Sequence, residues 1–176
     1  MDKNSTKFSA QQLCSTALFM ALVCISTLFF KINIPLGYAH LGNGFIFLAS
    51  VFLGNPGGIL CGGIGSALAD MFGGYYAWIL PTLLIKSIMG GVVSWIACDK
   101  NGKAKLLSAK TFFALLAGTV VMVFGYFLAG AIMEGSIVAG AAQIPGLLGE
   151  DIVGIILFYV LGIALEKAGV YKLIRG

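Results

Sequence analysis

At 176 residues, with 10% charged and 59% apolar side chains and a mean hydropathy of +0.99, the chain cannot cover a soluble surface; ordinary soluble domains carry about 25% charge. Its net charge of +4 does not point to nucleic acid. Nine of the eleven basic residues fall in three clusters, Lys3 and Lys7, then Lys100, Lys103, Lys105 and Lys110, then Lys167, Lys172 and Arg175, as the cytoplasmic loops of a membrane protein do.

In chain order, the first apolar run covers residues 10–32, longer than the about 20 residues a span needs and too long for the h-region of a cleavable signal. A polar, turn-rich loop follows at residues 33–43. Residues 44–73 are too long for one span and short for two, and Asn55-Pro-Gly-Gly58 interrupts them where helices end and restart. The remaining apolar runs cover residues 79–98, 111–133 and 147–166. The whole chain reads as one membrane domain, 1–176.

Parity settles the broken stretch. A single crossing would put the four-lysine loop outside; two crossings, as helices 44–55 and 57–73, put all three basic clusters inside. A re-entrant hairpin gives the same parity. The expectation is an all-α, six-transmembrane-helix bundle with both termini cytoplasmic, in the cell membrane of a prokaryote. The outer face then consists of residues 33–43, 73–78 and 134–150. These hold Tyr38, His40, Asn43, Tyr75, Tyr76, Trp78, Gln143 and Glu150. Tyr75, Tyr76 and Trp78 suit either an interfacial aromatic belt or a ligand pocket, and His40 either a surface loop or a site.

Two ionisable residues interrupt the apolar runs. Asp70 ends a stripe of small residues at four-residue spacing (Gly54, Gly58, Gly62, Ser66) that shares one helical face and suits close helix packing. Lys86 lies about seven residues into its helix, roughly 10 Å deep. An intramembrane charge costs at least about 2.5–3.5 kcal/mol and needs a partner. An Asp70–Lys86 ion pair satisfies both, and contact of Lys86 with a solute is the other reading. Glu150 and Asp151 read as carboxylates opening a helix, where its dipole favours them.

No set of residues resembles an active site. Cys14, Cys24, Cys61 and Cys98 have no metal-ligand spacing, and the single histidine is too few for a zinc or haem enzyme. No Gly-rich loop leads into the Lys-Ser/Thr of a phosphate cradle. The chain reads as no enzyme, without metal or cofactor, so uphill transport requires a partner or an ion gradient.

Several stretches together resemble the substrate-binding S component of an energy-coupling factor (ECF) vitamin transporter. They are Ala17-xxx-Ala21, Gly42-Asn-Gly44, Phe52-Leu-Gly-Asn-Pro-Gly-Gly58, Gly65-Ser-Ala-Leu-Ala-Asp-Met-Phe-Gly-Gly74 and Tyr76-Ala-Trp-Ile-Leu-Pro-Thr-Leu-Leu-Ile-Lys-Ser-Ile-Met-Gly90. The resemblance spans most of residues 15–95; the C-terminal half fits by length and helix count. It implies a six-helix bundle that binds a water-soluble vitamin near its outer surface, works with a membrane coupling subunit and two ATPases that use the ATP, and topples to release its cargo. It assigns Ala17 and Ala21 to docking on the coupling subunit. It points to Asn33, Tyr38, His40, Asn43, Tyr75, Trp78, Lys86, Gln143 and Glu150 as substrate-binding candidates, with Asn43 standing where relatives often carry aspartate. The nearest members are those assigned to vitamin B6 (pyridoxine, pyridoxal) or to hydroxymethylpyrimidine, the thiamine precursor, with riboflavin an alternative. A stand-alone secondary transporter would need an internal repeat with broken midplane helices, and no convincing repeat is visible.

Overall fold

The computed structural model describes residues 9–34, 37–100 and 102–175. Helix α1 (Ala10–Phe29) starts in a capping box: Ser9 accepts the Gln12 amide, and the Gln12 side chain returns to the Ser9 amide. Next comes an antiparallel hairpin, β1 (Lys31–Ile34) and β2 (Gly37–His40), with Lys31 opposite His40 and Asn33 opposite Tyr38. This hairpin corrects the reading of 33–43 as plain loop, and of 31–32 as helix. Extended pairing satisfies backbone groups that an open loop at the membrane surface would leave to water.

Helices α2 (Gly42–Phe52) and α3 (Gly57–Phe72) divide at Gly54, whose φ of +70° places the turn in the region open to glycine. Apart from Phe45, every residue of α2 is buried, so α2 is the central helix of the bundle and not a lipid-facing wall. At 11 residues it is about 16 Å long. A 3₁₀ turn (Tyr76–Trp78) leads into α4 (Ile79–Ala97), followed by α5 (Ala109–Met133), capped by Ser108. The span expected from residue 147 starts earlier. After a short helix α6 (Ile137–Ala142), α7 runs Ile144–Lys167 with Pro145 in its first turn, and α8 (Val170–Arg175) follows.

Four helical stretches are long and apolar enough to cross a membrane: Ala10–Phe29, Tyr76–Ala97, Ala109–Met133 and Ile137–Lys167. Their outer surfaces are apolar, as lipid requires. Leu80, Leu84, Ile88 and Trp95 are exposed on α4, while Thr82, Ile85, Lys86, Met89 and Val93 point inward. The protein is a membrane-spanning helical protein.

Helix α3 lies between α1 and α4, α4 packs on α5, and α2 rests on α7. The small-residue stripe explains the α3–α4 approach. A methyl group on Gly62 would meet the Lys86 carbonyl, and one on Gly90 the Gly58 carbonyl. Main chains this close hold Lys86 at a fixed height. Substituting Gly90 with alanine should therefore cost about 1–3 kcal/mol through overpacking, seen as a lower midpoint in thermal unfolding of the detergent-purified protein.

At the opposite end of α4 from Trp78, Tyr171 of α8 stacks on Phe52 (ring centroids 4.5 Å) and donates to the carbonyls of Val51 and Ala104. Lys110 reaches the Cys98 carbonyl there. The bundle is thus sealed at its lysine-rich end.

Candidate ligand-binding site

The other end is open. A cavity of about 330 Å³ lies between α1, β2, α3, α4, α5 and α7. His40, Asp70, Tyr75, Trp78, Lys86, Gln143 and Glu150 line it, together with Thr27, Thr82 and Tyr126. Short elements converge because α2 is short: α2 fills the lower bundle, and the hairpin and α7 close around the space above it.

The aromatic side is ordered by a hydrogen bond. Tyr126 donates to the Thr82 hydroxyl at 3.0 Å, and its ring lies 5.7 Å from the Trp78 ring, tilted by 35°. Tyr76, by contrast, is 71% exposed and lies outside the lining.

The charged side is a buried network. Lys86 is 3% exposed. Its ammonium donates to the Asn43 amide oxygen and sits 3.3 Å from Glu150 Oε1 and 3.1 Å from Met122 Sδ, with the Tyr126 ring centroid at 5.3 Å. The Asn43 amide nitrogen in turn donates to Asp151 at 2.7 Å. His40 Nε2 is 3.2 Å from the same Glu150 oxygen. Asn43 thereby has its amide orientation fixed, oxygen to the cation and nitrogen to the carboxylate.

The structure revises three sequence readings. The ion pair foreseen between Asp70 and Lys86 is made instead with Glu150 from α7; Asp70 lines the same cavity from the end of α3. Asn43 is fully buried in α2 behind Lys86 and does not line the cavity. Glu150 and Asp151 do not open a helix. With α7 starting at Ile144 they are its seventh and eighth residues, about two turns in, facing inward at 7% and 1% exposure. Their role is charge pairing with Lys86, not interaction with a helix dipole. The side chains of Asn33 and Tyr38 lie outside the described residues; among the described side chains of the hairpin, His40 lines the cavity.

Asp151, Thr82 and Met122 were not among the expected site residues. Thr82 belongs to the Pro-Thr pair preceding Lys86, a signal present in the sequence. Met122 carries none, since a methionine in an apolar helix is ordinary core. Among the described residues, no three His, Cys, Asp or Glu side chains converge as a metal site requires.

The family model described as ECF-type riboflavin transporter, S component, matches residues 7–167. The chain belongs to this family of ECF S components. It is also 34% identical over 148 residues to a Pyrococcus woesei protein described as an uncharacterized protein in the gap 3′ region, a match covering 82% of this chain and 95% of the relative. As an ECF S component it is a transport subunit, the substrate-binding part of an ECF vitamin transporter. Such subunits work with a membrane-bound energy-coupling module of ATPases and a T component. On α1, Ala17 and Ala21 are both exposed, away from the cavity.

Proposed function

We propose that this S component captures a small aromatic heterocycle bearing hydroxymethyl groups, vitamin B6 or hydroxymethylpyrimidine, from outside a prokaryotic cell. The cavity volume carries this reading. Ligand pockets span roughly 300–1,000 Å³, and about 330 Å³ lies at the small end, which suits a single ring. Trp78, Tyr126 and Tyr75 offer stacking faces; Lys86, Glu150, Gln143 and Thr82 offer directional hydrogen bonds. Substituting Trp78 with alanine should weaken binding at least tenfold, about 1.4 kcal/mol; calorimetry on the purified variant checks this, and unchanged affinity would assign Trp78 to the interfacial belt.

Riboflavin is the second reading, favoured by the description of the matching family. Competition decides between them. Riboflavin fluoresces, so its binding and its displacement by pyridoxine or hydroxymethylpyrimidine can be read directly. Saturable quenching that neither small ring reverses would favour riboflavin and overturn the small-ring assignment.

The same proposal includes topology. The cavity and the lysine-rich loop lie at opposite ends of α4, 19 residues or about 29 Å apart. With the basic clusters inside, the cavity opens outward and α2 and α3 complete six crossings. In a cysteine-free background, Lys103→Cys should be protected from an impermeant thiol reagent in intact cells and Ser136→Cys labelled; the reverse pattern would invert the orientation. Without a phosphate cradle of its own, the chain leaves ATP to the coupling module, and the exposed Ala17 and Ala21 form the docking stripe for the T component.

A further inference from the structure

We infer that the cavity takes its ligand as a cation, a heterocycle carrying its positive charge on the ring or on an attached ammonium group. The inference rests on the cavity being the substrate site. Three ionisable groups in the buried network are at least nine-tenths buried: Lys86, Glu150 and Asp151, at 3%, 7% and 1% exposure. They are one ammonium and two carboxylates. His40, intermediate in exposure, touches Glu150. One further positive charge closes the balance, either a proton on the cluster or a cation in the cavity. Charge excess at membrane depth is costly unless paired, so a cationic ligand gains what a neutral ligand of the same shape does not.

Two further observations point the same way. Both contacts of Glu150, to Lys86 and to His40, use Oε1. Glu150 itself lines the cavity. The Trp78 and Tyr126 rings line the same cavity. Aromatic faces attract cations, tryptophan most strongly, and the Lys86 ammonium already sits 5.3 Å from the Tyr126 ring centroid. A cavity that joins a buried carboxylate to aromatic faces favours positive charge. Asp70 adds a further carboxylate to the lining.

A permanent cation and its neutral isostere test this without titration of the ligand itself. The probes are 3-(hydroxymethyl)-1-methylpyridinium and 3-methylbenzyl alcohol, which differ by a ring nitrogen and its charge. Thermal stabilisation of the detergent-purified full chain is measured as each is titrated. The cation is expected to bind at least tenfold more tightly, about 1.4 kcal/mol, and Glu150→Gln should shrink that preference several-fold. Equal or tighter binding of the neutral probe, or no binding by either, would overturn the inference. A vitamin screen run alongside separates the two claims. A tight vitamin hit with charge-indifferent probes fells the cation rule alone, whereas silence across the vitamins fells the substrate-site reading as well.

Discussion

Replacing Lys86 with methionine is expected to destabilise this protein strongly. The side chain is buried, and its ammonium holds the Asn43 amide and Glu150 together. Methionine preserves much of the apolar stem but strands two buried carboxylates, and breaking a buried pair by removing one partner costs about 3–5 kcal/mol. Purified Lys86→Met should unfold well below the parent in a thermal melt and bind no ligand. The double variant Lys86→Met, Glu150→Gln removes one stranded charge. It should recover part of the stability and none of the binding. A single variant as stable as the parent would show that the network is not what holds α2, α4 and α7 in register.

The second large effect concerns transport without binding. Ala17 and Ala21 lie four residues apart on the exposed side of α1, one helical face, and small residues let a neighbouring helix approach closely. Tryptophan at either position should reduce uptake by cells carrying the complete transporter at least tenfold, while ligand affinity of the purified chain stays within about twofold, under about 0.5 kcal/mol. Loss of affinity together with uptake would instead place the two alanines in the packing of the subunit itself.

Much of the architecture can be read from the residues because lipid imposes simple rules. The helices α1, α4 and α5 coincide with uninterrupted apolar runs, and Asn55-Pro-Gly-Gly58 falls at the α2–α3 break. The hairpin was not legible, since Pro35 and the glycines around it read as a loop and its pairing depends on contacts across the turn. Nor was the early start of α7. Gln143 and Pro145 look like loop residues, yet a proline in the first helical turn loses no hydrogen bond.

The site divides along similar lines. His40, Tyr75, Trp78, Lys86, Gln143 and Glu150 stand out as polar or aromatic groups in an apolar chain, and the structure brings all six to one cavity. Which carboxylate meets Lys86 was not legible. Spacing along α4 gives depth but not the rotation of a helix about its axis, so the sequence pointed to Asp70, whereas packing sets Glu150 beside Lys86. Asn43 was missed in the opposite sense. An asparagine near a loop suggests a ligand contact, whereas burial in α2 makes it the strut between Lys86 and Asp151.

The central claim is that this chain alone is a high-affinity receptor, with energy coupling left to its partners. It is tested most directly by calorimetric titration of the detergent-purified chain, without T component or ATPases, against water-soluble vitamins and precursors led by pyridoxine, pyridoxal and hydroxymethylpyrimidine. Tight one-to-one binding of a single small heterocycle is the expected result. No binding across the panel, by protein shown to be folded, would contradict it.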